Sequence, residues 1–197
     1  GSGADFLDPP LAFLGSWGAA GAGVALLALA WVVYDALCRS PLGRTPVFGI
    51  AGFVLMLAVA YVLSRIMSAH AAFIHVGAIL GTLMTANVWM IIIPSQRELV
   101  GATKAGRAPD ANFASRAKQR SVHNNAMTLP VVFIMLSSHY PSIYGHDWNW
   151  LLLAGLALVG AAMRRYLNLL ERGDHRVWMI PAMAGAMAVL FVLANRF

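Results

Sequence analysis

The chain has 197 residues, of which 59% are hydrophobic and only 11% are charged. Globular domains carry about 25% charged residues, so this composition excludes an ordinary soluble domain and a disordered chain. The formal net charge of +6 suits nucleic acid, an anionic substrate or a membrane surface, and the positions of the basic residues decide among them. The single cysteine, Cys38, excludes an internal disulfide framework and C-x-x-C metal or c-type haem sites.

Apolar stretches of about 20 residues predict six membrane-spanning helices. In chain order they cover approximately residues 17–37, 47–67, 71–94, 123–140, 148–168 and 177–194. The fourth stretch is polar at both ends and contains Pro130, which a membrane helix tolerates when neighbouring groups satisfy the freed carbonyl. The sequence therefore predicts an all-α, polytopic integral membrane bundle, with residues 1–197 forming a single transmembrane domain.

The basic residues are distributed unevenly among the connections between these spans. Twelve of the 14 lysine and arginine residues follow the first, third and fifth spans: Arg39, Arg44, Arg97, Lys104, Arg107, Arg116, Lys118, Arg120, Arg164, Arg165, Arg172 and Arg176. Because cytoplasmic loops carry such an excess, we expect residues 95–122 to form a basic cytoplasmic loop and the N-terminus to face the periplasm. This distribution explains the net charge without nucleic acid.

The six histidines are informative because an ionisable group at membrane depth is costly and often functional. His123 and His139 lie 16 residues apart on one predicted helix, so about 24 Å separates them. His75 and His139 fall near the outer ends of neighbouring spans, where they could hold a haem iron as axial ligands. Alternatively, His75 hydrogen-bonds a neighbouring helix and His139 caps the outer end. The candidate cofactor-binding residues are His75, His139 and His123, the first two as metal ligands.

A dense polar block, KQRSVHNN at residues 118–125, opens the fourth span on the cytoplasmic side. Arginine offers a fixed fork of donors to a planar anion, and Gln and Asn pair donors with acceptors. Free N–H groups of the first helical turn also favour negative charge. We expect Asn87, about 18 Å along span three from His75, to lie at the same level. The candidate anion-binding residues are Gln119, Arg120, Asn124 and Asn125.

Two simpler interpretations of the charged residues stay open. The polar block can be a helix cap with orientation-setting charges whose side chains snorkel to the headgroups. Asp35, the one acid at a span end, precedes Arg39 by four residues, and this spacing predicts an ion pair between them. Nucleophile-elbow, zinc-protease, Walker and dinucleotide-binding motifs do not occur in the sequence, which disfavours hydrolase, ATPase and nicotinamide chemistry.

Several stretches of the sequence carry a family resemblance: AFIHVGA at 72–78, TANV at 85–88, IIIPSQR at 91–97, RAKQRSVHNN at 116–125, TLP at 128–130, SHYP at 138–141 and WNW at 148–150. They closely resemble the membrane-integral urate oxidase (urate hydroxylase) family of bacteria. VYD at 33–35 and CRSP at 38–41 also match, so the likeness covers nearly the whole chain.

The resemblance implies a bacterial inner-membrane oxidoreductase that converts urate to 5-hydroxyisourate and passes electrons, with haem b as cofactor, to a cytochrome c. Members of this family usually begin with two further helices, and commonly carry a fused C-terminal cytochrome c domain. We therefore expect the chain to be a fragment of an eight-helix unit, with a second chain supplying the missing helices and the cytochrome. Urate, a planar monoanion with N–H and C=O edges, suits the polar block.

Two other functions stay open on the sequence. The chain can be a non-catalytic membrane subunit that anchors or assembles a larger redox complex, which co-purifying partners would support. It can also be a transporter of purine anions, which urate uptake into sealed vesicles without a spectral change would support.

Overall fold

The computed structural model of the chain describes residues 15–195, and within them every regular element is helical. The elements are α1 (Gly15–Arg39), a 3₁₀ helix (Pro41–Arg44), α2 (Phe48–Ile66), α3 (Ala69–Ala86), a π-helical segment (Asn87–Ile92), α4 (Ile93–Lys104), α5 (Ala111–Ser137), α6 (Pro141–Tyr144), α7 (Asn149–Glu171) and α8 (Met179–Asn195). The predicted all-α class is confirmed.

Four helices in the described part of the chain are long and apolar enough to cross a membrane: Trp17–Arg39, Phe48–Ile66, Ala69–Lys104 and Asn149–Glu171. The other two predicted spans correspond to α5 and α8. The first half of α5 carries the polar block, and α8 is apolar but only 17 residues long. The six predicted spans therefore all become helices, of which four satisfy both length and composition.

The structure differs from the predicted loop over residues 95–122. The helix Ala69–Lys104 is continuous for 36 residues, and α5 already begins at Ala111, so residues 105–110 alone form the turn. The region is rich in Ala, Arg, Lys and Gln, which favour helix even when they are solvated. Asp110 caps α5 by accepting a hydrogen bond from the backbone N–H of Asn112 at 2.8 Å. At about 1.5 Å per residue the continuous helix is ~54 Å long, well beyond the ~30 Å hydrocarbon core of a bilayer.

α3, α5 and α7 form the centre of the bundle, and their contacts include Phe73, Val76, Ile134 and Leu153 of the apolar core. In the most apolar window of α1 or α2 only 11% of residues are buried, against 39% in Ala69–Lys104 and in Asn149–Glu171. α1 and α2 thus present most of their apolar side chains outward, as membrane helices do toward lipid.

Gly160 of α7 marks the closest approach in this centre. A Cβ atom at this position would lie 2.8 Å from the backbone nitrogen of Pro130 in α5. Small residues allow membrane helices to approach with their backbones nearly in contact. The α5–α7 pair therefore supplies a rigid support for the face of α5 that is turned toward α1 and α3.

Candidate functional site

A polar cluster lies where α1, the π-helical segment and α5 meet, and we call it the buried polar cluster after its two buried members, Asn87 and Arg120. Its five half-buried members are Trp31, Tyr34, Asp35, His123 and Asn124. On both α1 and α5 the members are spaced by one and three to four residues, which places them on a single helical face. The cluster therefore forms between two facing stripes within an otherwise apolar bundle.

Asn87 enters the cluster at an irregularity of its helix. It is the first residue of the π-helical segment Asn87–Ile92, and its side chain is completely buried. π-helical turns are rare and occur frequently at functional sites. The position predicted for Asn87 is confirmed, because its Nδ2 donates to Oδ1 of Asn124 in the polar block at 2.8 Å.

The hydrogen-bond directions in the cluster follow from one backbone carbonyl. Nδ2 of Asn124 donates to the carbonyl oxygen of Met84 at 2.9 Å, so Oδ1 of Asn124 faces Asn87 as an acceptor. Nδ2 of Asn87 therefore donates to Asn124, and it also donates to the hydroxyl oxygen of Tyr34 at 3.0 Å. The Tyr34 hydroxyl lies 2.8 Å from Nδ1 of His123. In the arrangement in which this hydroxyl donates, His123 carries its ring proton on Nε2.

Arg120 is held by an acid and by two aromatic rings. Its Nη2 donates to Oδ1 of Asp35 at 2.6 Å, and only 3% of its side chain is exposed. The other carboxylate oxygen of Asp35 accepts from Nε of Arg39 at 2.6 Å, which confirms the predicted ion pair. The Arg120 guanidinium carbon lies 4.9 Å from the ring centroid of Tyr34 and 5.8 Å from that of Trp31. Two guanidinium groups share one carboxylate, so the cluster together with the exposed Arg39 carries a net positive charge.

Two buried polar atoms of the cluster have no hydrogen-bond partner: Nη1 of Arg120 and Oδ1 of Asn87. Buried polar groups are almost always paired, and an unpaired one costs about 1–3 kcal/mol. One of these atoms is a donor and the other is an acceptor, and both side chains contact Tyr34. The cluster therefore offers a positively charged donor and a neutral acceptor to a further group.

The four predicted anion-binding residues do not share one face of α5. Arg120 and Asn124 belong to the buried polar cluster. Gln119 instead donates from Nε2 to the carbonyl oxygen of Gly43 at 2.6 Å, which ties the 3₁₀ helix to α5. Oδ1 of Asn125 accepts from Nδ2 of Asn168 on α7 at 2.7 Å. The structure thus brings two of the four together and engages the other two in helix–helix contacts.

The ring of His123 is enclosed by neighbouring side chains. It stacks on Phe48 with 4.6 Å between ring centroids and 6° between planes, and Sγ of Cys38 lies 3.7 Å from Nδ1. When Nδ1 accepts from the Tyr34 hydroxyl and Nε2 carries the proton, His123 presents no free lone pair. It is therefore placed as a polar-cluster residue, and a role as cofactor ligand would require rearrangement of Tyr34.

His75 has the opposite arrangement. Its Nδ1 lies 2.8 Å from the carbonyl oxygen of Ala71, and because a carbonyl can only accept, Nδ1 is the donor and Nε2 keeps its lone pair. This is the tautomer that metal-ligating histidines adopt, with the second nitrogen oriented by a backbone carbonyl. Nε2 is directed at Gly23 of α1, where a Cβ atom would lie 3.0 Å away.

His139 lies elsewhere on the bundle. It is exposed two residues beyond the end of α5 at Ser137. α5 contacts α3 at Gly77, beside Ile134 and Met135, and Gly77 is about 200° around the helix from His75. The face of α3 that carries His75 is thus turned toward α1, not toward α5, and the structure does not direct His75 and His139 at each other.

The comparison with known families agrees with the resemblance of the motifs. The family model described as urate oxidase N-terminal matches residues 2–195. The chain belongs to the urate oxidase N-terminal family. No curated protein and no solved structure matches the chain. Membership of the urate oxidase N-terminal family points to a urate-related function and assigns no residue to it.

Sequence reasoning missed the contribution of α1 to the polar cluster of this urate oxidase family member. Trp31 and Tyr34 were not singled out, and Asp35 was paired only with Arg39. The available signal was the spacing of Trp31, Tyr34, Asp35 and Cys38, which puts hydrogen-bonding side chains on one face of an apolar helix. The Asp35–Arg120 pair joins residues 85 positions apart, and no local pattern predicts such a contact.

Proposed function

We propose that the chain is the membrane-integral part of a bacterial urate oxidoreductase that produces 5-hydroxyisourate and delivers the electrons to a cytochrome c, with haem b as the bound redox group. One observation carries the proposal: a buried arginine, Arg120, keeps Nη1 unpartnered in the polar cluster of a urate oxidase family chain. Arginine is the side chain best suited to bind a planar anion in a desolvated place.

The buried polar cluster suits urate in charge and in hydrogen-bonding pattern. Arg120 supplies a donor and the positive charge, and Oδ1 of Asn87 supplies an acceptor for a ligand N–H group. The rings of Trp31 and Tyr34 offer flat surfaces beside the guanidinium. Gln119 and Asn125 act as positioning residues in this proposal, because their amides attach α5 to the 3₁₀ helix and to α7.

The reaction adds one water to urate and releases two electrons and two protons, which gives 5-hydroxyisourate. The cluster residues bind and orient the anion, and the surrounding helices exclude bulk water. The Tyr34 hydroxyl lies 2.8 Å from Nδ1 of His123, and in this proposal it donates to that nitrogen. A proton released beside Tyr34 therefore has an ordered path, in which Tyr34 passes its own proton to His123 and takes up the new one.

His75 is the residue that would hold a haem as a ligand in this proposal, because the Ala71 carbonyl orients its ring and Nε2 keeps its lone pair. Binding would require α1 to move away from Nε2, which faces Gly23. A haem held there would supply a one-electron acceptor. We assign only His75 to this role, and His139 stays a predicted second ligand. About 18 Å along α3 separates His75 from Asn87, so the electron acceptor and the urate site lie at different depths.

The proposed location is the bacterial inner membrane, with the N-terminal end of α1 toward the periplasm. The apolar helices support a membrane location, and the basic residues after spans one, three and five support the orientation. His75 then lies toward the periplasm, where a cytochrome c domain or protein accepts electrons.

The test is an optical spectrum of the protein, purified in mild detergent with its co-purifying chains, before and after anaerobic addition of urate. We expect a b-type haem spectrum that urate reduces. Arg120→Gln should keep the haem and require roughly 100-fold more urate for reduction, because a charge-assisted hydrogen bond in a buried site is lost. Arg116→Gln, an exposed change one helical turn earlier, is the matched control and should behave as the wild type.

Other outcomes separate the competing functions. A protein that binds no haem and gives no response to urate, but co-purifies with a redox complex, would contradict the proposal and support an anchoring subunit. Urate uptake into sealed vesicles without any spectral change would support a purine-anion transporter. Equal responses of Arg120→Gln and the wild type would remove the urate site from the buried polar cluster.

A further inference from the structure

We infer that Asn87 determines substrate specificity: its Oδ1 accepts a hydrogen bond from a ligand N–H group that is adjacent to the ligand atom bound by Arg120. The inference rests on the proposed function and goes further, because it states which edge of a purine anion the buried polar cluster recognises. The side chains of Asn87 and Arg120 support this inference, because both are almost completely buried and each has one unpartnered polar atom.

The side chain of Asn87 cannot exchange its acceptor for a donor. A flip of its amide would turn Oδ1 toward Oδ1 of Asn124, and two acceptors would then face each other. Asn124 cannot flip in compensation, because its Nδ2 donates to the Met84 carbonyl, which only accepts. The unpartnered atom of Asn87 is therefore an acceptor in every satisfied arrangement of the cluster.

The side chains of Asn87 and Arg120, each with one unpartnered polar atom, both contact Tyr34. Asn87 hydrogen-bonds the Tyr34 hydroxyl at 3.0 Å, and the Arg120 guanidinium carbon lies 4.9 Å from the centroid of the Tyr34 ring. A ligand bound beside Tyr34 therefore meets a charged donor and a neutral acceptor together.

This pattern defines the chemical class of the ligand edge. A lactam or ureide edge presents a C=O group next to an N–H group, so the oxygen pairs with Arg120 and the N–H pairs with Asn87. Carboxylates and ionised phosphates present acceptors only, and they would leave Oδ1 of Asn87 unpaired beside further lone pairs. The cluster thus selects purine anions with an N–H group against other small anions of the same charge.

The test measures the affinity of the detergent-purified protein for urate and for its four mono-N-methylated derivatives. Methylation replaces one N–H donor at a time. In the wild type we expect the isomer methylated at the recognised nitrogen to bind about 5- to 150-fold more weakly than urate, because Asn87 loses its donor in a buried place. In Asn87→Ala the preference for urate over that isomer should disappear.

The matched control is Asn149→Ala, which removes another buried asparagine at the start of α7, whose amide donates to the Tyr144 carbonyl. This variant should keep the wild-type preference. The wild-type series is informative even if Asn87→Ala does not fold. Equal affinity for urate and all four derivatives would overturn the inference, and so would a preference that persists in folded Asn87→Ala. Failure of the wild type to bind urate would instead overturn the proposed function, and with it this inference.

Discussion

Two histidines lie near opposite ends of α3, His75 on α3 itself and His123 on the neighbouring α5, and their ring nitrogens have different hydrogen-bond partners. Near the first end, His75 donates from Nδ1 to a carbonyl of its own helix and keeps a free lone pair on Nε2. Near the other end, Nδ1 of His123 in α5 lies 2.8 Å from the Tyr34 hydroxyl, and when Nδ1 accepts from this hydroxyl the ring carries its proton on Nε2. The first arrangement suits a metal ligand, and the second suits a link in a hydrogen-bonded path. Both histidines are half-buried, so the hydrogen-bond partner of each ring, rather than its burial, distinguishes what each can do.

The two ends also differ in how their polar groups are satisfied. The His75 end is mostly apolar, and the core residues Phe73 and Val76 are almost completely buried beside it. The other end is a network in which the directions of the Asn124 and Asn87 amides follow from the Met84 carbonyl, with one donor and one acceptor unpartnered. In the proposed function His75 serves the haem and Asn87 serves the substrate, and the two residues lie about 18 Å apart along the helix.

The largest expected effect of a substitution separates the two histidines. His75→Ala should abolish haem binding, because the proposed ligand is lost, whereas His123→Ala should keep the haem and weaken the urate response. Quantifying haem per protein in the purified variants checks this. Haem loss in His123→Ala with retention in His75→Ala would reverse the comparison and return His123 to its predicted role as a cofactor ligand.

A substitution beside Nε2 of His75 should have a second, smaller effect on haem affinity. Gly23→Leu adds a side chain where a Cβ atom already lies 3.0 Å from Nε2, so we expect a cost of about 1–3 kcal/mol and roughly 5- to 150-fold weaker haem affinity. Gly21→Leu is the matched control on the same helix, because no side-chain or backbone atom lies within 4 Å of a Cβ atom there. If both variants bind haem alike, the haem does not occupy the α1 side of α3.

The helices themselves were predictable because apolar stretches of membrane length are long and continuous. Each of the six predicted spans coincides with a helix to within a few residues at most ends. The exceptions are the C-terminal end of α4 and the N-terminal end of α5, where amphipathic, charged sequence continues the helices to Lys104 and from Ala111. Hydropathy measures suitability for lipid, so it cannot detect a helix that leaves the bilayer.

The polar cluster was predictable only in part. The residue types of the 118–125 block and the level of Asn87 indicated an anion site, and Arg120, Asn124 and Asn87 do meet. The role of Tyr34 and the contact of Asp35 with Arg120 depend on how α1 packs on α5, which no spacing within one helix reveals. The π-helical segment has no sequence signal of its own, and the hydrogen-bond directions follow from the Met84 backbone carbonyl, which every residue possesses.

The smallest expected effect tests the hydrogen bond that distinguishes His123 from His75. Tyr34→Phe removes the hydroxyl, so Nδ1 of His123 loses its donor and one hydrogen of Asn87 Nδ2 loses its acceptor. We expect the free energy of unfolding to fall by about 1–3 kcal/mol, which reversible denaturation in mixed micelles can measure. Tyr61→Phe, on the exposed side of α2, should change it by less than about 0.5 kcal/mol.

Because Tyr34→Phe also frees the Nδ1 lone pair, His123 then acquires a free ring lone pair, which His75 already has on Nε2. A gain of haem by Tyr34→Phe in the absence of His75 would show that the hydroxyl alone keeps the two histidines in different roles, whereas an unchanged stability would mean that Tyr34 does not determine the tautomer of His123.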